Sequence, residues 1–481
     1  MSLAKKALSG TLWTSGISYI GFAITFAIQL ILVRLLVPED FGIFALGLSV
    51  AELLFFFFSV GFSMAVIQIQ EADDLFDTAF YLSILSGIFI ASIGVMLSQL
   101  LSSYYPGHAL LVLVILCALS PVQGCTLIYT ASLEKEMQFK KTALAGSIAS
   151  NISAVGAVIL AYAGFGLWSL VGKELMKVAL LFFSTRRMAT YRFQRRFNSD
   201  TAKKLVSFGM KMLFSKGLEV LYYRVPQFVI GTVSGTKMLG LFSQTYYIAS
   251  IPNVVLQPAT SNIAFSTYSK LQHEKDKMSE AFYITNYFFI RMLLPLMLIF
   301  YLYPKEVIGI LYGDQWIEAS PMLSYFAIYA AFLPLFLNAK TFAYALGRLI
   351  EVGIAYVLKL ALLAVGLAIA LSVQKVDLGA MSYSISLIIG LFTIFHFLKK
   401  DALVLHLRQL FLVPVTISAL IVTTWPFFRN VINIYIPEDT ITGSVYLLML
   451  YIFFAAVMLI CEPKIVMNNV RYLQNKILLG K

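Results

Sequence analysis

Polar residues interrupt this chain at long, regular intervals, and between them run apolar stretches of similar length. Fourteen such segments can be marked, near 12–35, 42–67, 79–103, 108–132, 142–163, 166–185, 207–232, 239–266, 281–303, 320–346, 352–372, 378–398, 409–428 and 444–462. Crossing a hydrocarbon layer of ~30 Å takes about 20 helical residues, and each segment suffices. The segments are apolar on all faces and lack period-two alternation. That pattern predicts membrane-spanning helices rather than the strands of an outer-membrane barrel. Those near 207–232 and 320–346 fit least well, because they carry charge. The first segment follows Lys5 and Lys6, as the apolar part of a secretory signal would. It runs from Leu12 to about Leu36 with no small-residue cleavage site after it, so it is expected to persist as a span. The reading is an all-α membrane protein with about fourteen transmembrane helices.

Composition agrees with this. Hydrophobic residues make up 60% of the 481 and charged residues 12%, with a mean hydropathy of +0.84. A soluble domain carries about 25% charged residues. Lys and Arg set the orientation. With the N-terminus in the cytoplasm, 23 of the 36 basic residues fall in inside loops and tails. Five fall outside (Arg34, Lys237, Lys305, Lys375 and Arg429), and the remaining eight lie within segments. Both termini are therefore expected inside, with an even number of spans. The densest basic stretch holds Arg186, Arg187, Arg192, Arg195, Arg196, Lys203 and Lys204. It reads as a topology signal that also attracts anionic lipid headgroups. No folded module that reads nucleic acid accompanies it. One inside loop, 68–78, is instead acidic, with Glu71, Asp73, Asp74 and Asp77, but acidic residues contribute little to the orientation rule.

Cysteine and histidine add no chemistry. Cys117 and Cys125 share one predicted helix, roughly 12 Å apart along its axis and too far to bridge. Cys461 stands apart, no metal-ligand spacing occurs, and His108, His273, His396 and His406 read as structural or solvated.

A short internal repeat organises the segments. Leu36-Val37-Pro38-Glu39-Asp40-Phe41-Gly42-Ile43-Phe44 leads into the second segment, and Val233-Ser234-Gly235-Thr236-Lys237-Met238-Leu239-Gly240-Leu241-Phe242 leads into the eighth. Both set apolar-Gly-apolar-Phe at a helix start, 198 residues or six segments apart. Six is even, so the copies run in the same direction through the membrane, as in transporters built from parallel repeats. The basic stretch falls at the implied boundary. The expected organisation is an N-terminal lobe over 1–185, a basic cytoplasmic loop over 186–206, a C-terminal lobe over 207–398, and two further spans with a tail over 399–481.

Several motifs, in order, carry a resemblance. Val33-Arg34-Leu35-Leu36-Val37-Pro38-Glu39-Asp40-Phe41-Gly42 resembles the first external loop of the polysaccharide-transporter (Wzx-like) branch of the MOP flippase superfamily. Gly61-Phe62-Ser63-Met64-Ala65-Val66-Ile67-Gln68, Gly164-Phe165-Gly166-Leu167-Trp168-Ser169-Leu170 and Tyr312-Gly313-Asp314-Gln315-Trp316 resemble later parts of the same family, nearest its lipopolysaccharide and colanic-acid exporter type. The resemblance implies two six-helix lobes (a MATE-like, MOP fold) around a cationic cavity that opens alternately to each side of a bacterial inner membrane. It implies an undecaprenyl-diphosphate-linked oligosaccharide as cargo, membrane lipids as surroundings, and polysaccharide polymerase and chain-length machinery as partners. No cofactor is implied beyond proton or sodium coupling. Many relatives carry an acidic residue in the stretch that matches Tyr222–Gln227, where this chain has Arg224 and Pro226, which puts the coupling at that point in question.

The charges inside segments are where transport chemistry is expected. Eight are basic: Lys173, Lys177, Lys211, Lys216, Arg224, Arg291, Lys340 and Lys359. Facing lipid, they would cost about 3 kcal/mol each and roughly 24 kcal/mol together, less whatever residues near span ends recover by snorkelling. Lys211 lies near a span end. Arg291 lies deepest, Arg224 sits two residues before a helix-bending proline, and Lys173 and Lys177 share a helix face. A diphosphate carries roughly two negative charges and calls for such cations. Arg291, Arg224, Lys173, Lys177, Lys216 and Lys340 are thus the candidate diphosphate-binding residues. Lys173 and Lys177 can equally pair with Glu174 or with a neighbouring helix, and Lys216 with Glu219. Glu52, Glu174 and Glu219 are the candidate coupling carboxylates, with Glu52 foremost because no basic residue adjoins it in sequence. Gln29, Gln244, Asn253, Gln257 and Asn262 are candidates for the sugar, although interhelical hydrogen bonding is the commoner role for any one of them. Pro252, Pro258 and Pro295 mark bends, static or moving. The rivals are a lipid II flippase, a small-molecule cation antiporter and, less well supported, a membrane glycan polymerase or ligase. The absence of a large external loop, a nucleophile–base pair or an ATP-binding loop speaks against an enzyme.

Overall fold

The computed structural model describes residues 3–69, 74–258, 264–399, 407–435, 449–454 and 456–457. Its helices are α1 (Leu3–Leu35), α2 (Pro38–Gln68), α3 (Leu75–Leu100), α4 (Gly107–Ala118), α5 (Ser120–Lys135), α6 (Phe139–Tyr162), α7 (Leu167–Met188) and α8 (Ser199–Val233). They continue as α9 (Thr236–Pro258), α10 (Ala264–Lys270), α11 (Lys275–Leu302), α12 (Pro304–Tyr312), α13 (Ser320–Ala345), α14 (Leu349–Ser372), α15 (Asp377–Lys399) and α16 (Leu407–Tyr435). The described residues contain no strand.

The predicted segments recur with instructive differences. The two charge-bearing ones are both unbroken helices, α8 and α13. The segment 108–132 is one span bent at Leu119, where Pro121 opens α5; Gly87 of α3 lies against that proline, and a Cβ there would sit 2.4 Å from its Cα. The stretch 304–319, left between two predicted segments, forms α12 and a 3-10 turn (Asp314–Ala319). Of the last segment, 449–454 and 456–457 are described and helical. Nine of the described helices are long and apolar enough to cross a membrane by length and composition, and α1 adds the shorter apolar run Tyr19–Leu35. Among those that fall short are α7 and α8, which carry the charges considered below.

Glycine shapes the tight turns. Gly164 and Gly166 bracket the turn into α7 with φ of 84° and 49°, and Gly313 ends α12 at 92°. These lie in the left-handed region, where a side chain is disfavoured. Both turns sit in motifs that carried the family resemblance.

The chain forms two compact units, Met1–Ser243 and Gln244–Lys481. In the first, α2 is central and packs on α3, α4, α5 and α8, while α6 packs on both α1 and α7. One core cluster gathers Ile43, Ile90, Val112, Leu116, Leu167 and Val171. A second gathers Ala65, Leu75, Phe80, Ile128, Leu133 and Leu205 near the ends where α2 stops and α8 starts. In the second unit α13 is central, against α11, α14 and α15, with Phe326, Tyr329, Phe336 and Phe342 fully buried. The indole of Trp425 on α16 donates to the Tyr303 hydroxyl at 2.6 Å. Large apolar side chains such as Leu85, Ile159 and Val365 are exposed, as lipid-facing positions should be.

Candidate functional site

The first unit is built around an antiparallel seam between α2 and α8. Gly217, Arg224 and Gly231 recur at intervals of seven residues, so one face of α8 meets α2 along its length. Gly217 lies by Phe56, Arg224 by Glu52 and Gly231 by Leu46. Small residues let backbones approach where no hydrophobic drive between helices exists. At one end a Cβ on Gly61 would stand 2.0 Å from the Cα of Gly209. At the other the two repeat motifs meet reciprocally. A Cβ on Gly42 would sit 1.7 Å from the Thr236 carbonyl oxygen, and one on Gly240 would sit 1.8 Å from that of Pro38. Thr236 and Gly240 are the positions 198 residues after Pro38 and Gly42. The contact is therefore self-complementary, as across a two-fold axis.

Midway along this seam, the Arg224 guanidinium forms an ion pair with the Glu52 carboxylate, and its Nη1 donates to Gln227 Oε1 at 3.0 Å. Both side chains of the pair are partly exposed, 27% and 42%. Pro226 follows two residues on, inside the helix, with no N–H to give to the preceding turn. Glu52 thus does have a basic neighbour, supplied by another helix rather than by the sequence around it.

The other candidates of this unit distribute over α1, α7 and α8. Lys173 Nζ donates to Gln29 Oε1 at 3.0 Å, which joins α7 to α1. Lys177 pairs with Glu174 at 3.2 Å on its own helix. Lys216 Nζ lies 4.0 Å from Met64 Sδ, and Glu219 is half-buried. Sequence reasoning missed a polar ladder beside them. Thr25 donates to Asn151 Oδ1 at 3.0 Å, Asn151 donates to Ser147 Oγ at 3.1 Å, and Gly21 lies against Ser147. Its signal was two short polar residues spaced by four on α6 (Ser147, Asn151), facing Gly21 and Thr25, spaced by four on α1.

Cations of the second unit sit on aromatic rings. The Arg291 guanidinium lies 3.3 Å from the Tyr287 ring centroid and donates to the Tyr287 carbonyl at 3.2 Å. Lys340 Nζ donates to the Tyr356 hydroxyl at 3.3 Å. Lys359, fully buried, places Nζ 3.8 Å over Phe336 and 4.8 Å over Tyr356, and Gly390 makes room for its stem. The Gln244 carbonyl accepts from Tyr312, and Asn253 Oδ1 is buried with no hydrogen-bond donor among the described residues. Asn262 and the Gln257 side chain lie outside the described residues. No cluster of three or more metal-ligating side chains occurs among the described residues.

A polar collar closes the end of the first unit where α2 stops and α8 starts. Lys135 donates to the Val66 and Ile69 carbonyls at 2.9 and 2.8 Å, capping the negative end of α2. The connection between α7 and α8 is a strap over 189–198, anchored on Asp77. That carboxylate, 2% exposed, accepts the Gln194 N–H at 3.1 Å, the Arg196 N–H at 3.0 Å and the Tyr191 hydroxyl. Arg195 between them takes φ of 62°, which turns the flanking amides to one side. Burial, and then the bond to Asp77, push the Tyr191 phenol up, so it stays a donor. Asn198 caps α8 by accepting from Asp200 N at 2.9 Å. Asp77 was read only as part of an acidic loop of little weight; the structure makes it the anchor of the basic one.

Comparison with known proteins places this geometry. The family model described as "Polysaccharide biosynthesis protein" matches residues 31–321. The succinoglycan biosynthesis transport protein ExoT of Rhizobium meliloti (strain 1021) is 27% identical over 64% of this chain, a match that spans 63% of ExoT, under two thirds of its length. The lipopolysaccharide biosynthesis protein WzxC of Escherichia coli (strain K12) is 21% identical over 67% of this chain and 66% of its own length. The solved lipid II flippase MurJ, in an inward closed conformation, aligns with a TM-score of 0.70 at 14% identity over 93% of this chain and 99% of MurJ. An inward-facing multidrug resistance MATE transporter aligns at 0.58 over 82% and 94%, so the fold is that of the MOP superfamily.

Proposed function

The chain belongs to the polysaccharide biosynthesis protein family, and on that premise we propose that it translocates an undecaprenyl-diphosphate-linked oligosaccharide across a bacterial inner membrane by alternating access. It is a multi-pass membrane transporter of polysaccharide biosynthesis rather than an enzyme. The finer reading concerns the cargo and how its movement is coupled. What carries it is the ion pair of Arg224 and Glu52 at the middle of the α2/α8 seam.

An arginine at mid-bilayer depth is expensive unless it faces water or a partner. Glu52 partners Arg224 while no cargo is bound. A lipid diphosphate presents roughly two negative charges and several acceptor oxygens, and guanidinium meets phosphate with paired hydrogen bonds. It therefore competes with the carboxylate for Arg224. Displaced from the arginine, Glu52 passes to the coupling ion, a proton or sodium. Cargo and coupling ion are exchanged at one arginine. Lys173, Lys177, Lys216, Arg291 and Lys340 supply further positive charge along the path of the headgroup, while Glu174 and Glu219 are secondary coupling groups. Both termini are cytoplasmic.

The test is flipping of a fluorescent lipid-linked oligosaccharide in proteoliposomes, with lipid II as the comparison cargo. Arg224→Ala lowers transport about a hundredfold, Arg224→Lys retains more of it, and Glu52→Gln transports with its pH dependence lost. Wild-type rates and pH profile in Arg224→Ala would overturn the reading, and preference for lipid II would reassign the cargo.

A further inference from the structure

The strap and its flanks carry a second, separate surface. All seven cations between Arg186 and Lys204 are exposed, against one acidic residue in the same stretch, Asp200, whose carboxylate pairs with Lys203 at 3.2 Å. Its backbone is nonetheless fixed. Two strap amides and the Tyr191 hydroxyl converge on buried Asp77, the Thr78 hydroxyl accepts the Asn198 N–H at 3.2 Å, and Thr190 is bonded to Glu136. Rings clamp the other face: Tyr191 stacks on Phe76 at 5.1 Å and Phe193 lies 4.7 Å from Phe80. The arrangement is economical in charge. Asp77 spends its carboxylate on backbone and phenol, so it orders the strap without neutralising any arginine. Among the cations stands one exposed apolar side chain, Phe197 at 58%, and the adjoining helices expose Phe183 at 64% and Met210 at 51% just beyond the two ends of the run. Fixed cations flanked by apolar side chains, between two membrane helices, match a lipid interface.

We propose that the strap, held in shape by Asp77, is a preorganised docking surface for anionic phospholipid headgroups of the inner leaflet. The arginines take the headgroup phosphates and Phe197, Phe183 and Met210 enter the acyl boundary. Asp77 is a positioning residue that touches no lipid. The surface acts whatever the cargo is, and it rests only on the strap lying at the membrane face.

Trypsin cleavage after Arg192, Arg195 and Arg196 reports on this surface in the full chain. It is measured in nanodiscs of phosphatidylcholine alone or of phosphatidylcholine mixed with phosphatidylglycerol. Both lipids carry a phosphate, so the difference measures net charge. Phosphatidylglycerol is expected to slow strap cleavage about tenfold or more, and high salt to remove the protection. Equal rates in the two lipids overturn the proposal without needing any variant. Native mass spectrometry of the detergent-solubilised chain then counts retained phosphatidylglycerol. Gln at Arg192, Arg195 and Arg196 together removes the preference. Asp77→Asn keeps every cation but frees the strap, and lowers retention several-fold. Wild-type retention in Asp77→Asn would refute the positioning role. Flipping in proteoliposomes of phosphatidylcholine separates this surface from the cargo site, since only Arg224 variants lose it there.

Discussion

The two units hold their in-span cations in different seats. In the first, Arg224 lies on Glu52 and Lys177 on Glu174, oxygen to nitrogen. In the second, Arg291 lies on Tyr287 and Lys359 on Phe336, cation to ring face. A carboxylate cancels the charge it holds and can be displaced by a stronger anion. A ring face steadies a cation by about 0.5–2 kcal/mol and leaves its charge standing. On the proposed reading the first arrangement exchanges its anion, whereas the second seats its cations on rings. The contrast teaches that in-span basic residues in one chain need not share one task, although sequence ranks them together.

The comparison is broken most severely at Arg224. Arg224→Ala is expected to lower flipping by about a hundredfold, as the loss of a positioned charge contact of ~3 kcal/mol would. Exchanging the partners, Arg224→Glu with Glu52→Arg, restores the pair and thermal stability but not transport, because each charge now stands on the other helix; a proteoliposome assay beside a melting curve separates the two. Next in size is the glycine crossing. Gly42→Ala drives a methyl into the Thr236 carbonyl, and the melting point should fall by the equivalent of about 1–3 kcal/mol. Gly146→Ala, with open space around it, should leave that melting point unchanged. Tyr287→Leu withdraws the ring beneath Arg291 and should slow flipping only about three- to tenfold. Smallest is Tyr356→Phe, which keeps the ring and removes the hydroxyl that Lys340 reaches; less than a threefold change is expected. If Tyr287→Leu matched Arg224→Ala, the two seats would not differ in kind.

Much of this was legible in the sequence, for physical reasons. Spans were readable because lipid demands long, uniformly apolar helices, and even charged α8 and α13 kept their length. The repeat was readable because only glycine permits the Gly42–Gly240 approach, so both copies must spell it. Arg224, Pro226 and Glu52 were singled out as costly, but their pairing was not, because it joins helices 172 residues apart. The ranking of Glu52 for want of a basic neighbour failed on that point, since sequence separation says nothing about which helix faces lie together. Lys177 and Glu174, three apart on one helix, were within reach of local reasoning. Asp77 was missed because the orientation rule discounts acids. Its signal was an acidic loop on the same side as the densest basic one.

Competition for Arg224 is the claim that the transport reading depends on, and equilibrium affinity tests it most directly. The measurement is the Kd of the full chain in detergent for an undecaprenyl-diphosphate-linked oligosaccharide, for wild type and Glu52→Gln. Removing a competing carboxylate should tighten binding by about fivefold or more, while Arg224→Ala weakens it. Unchanged or weaker binding in Glu52→Gln would mean that the carboxylate and the diphosphate do not share the arginine.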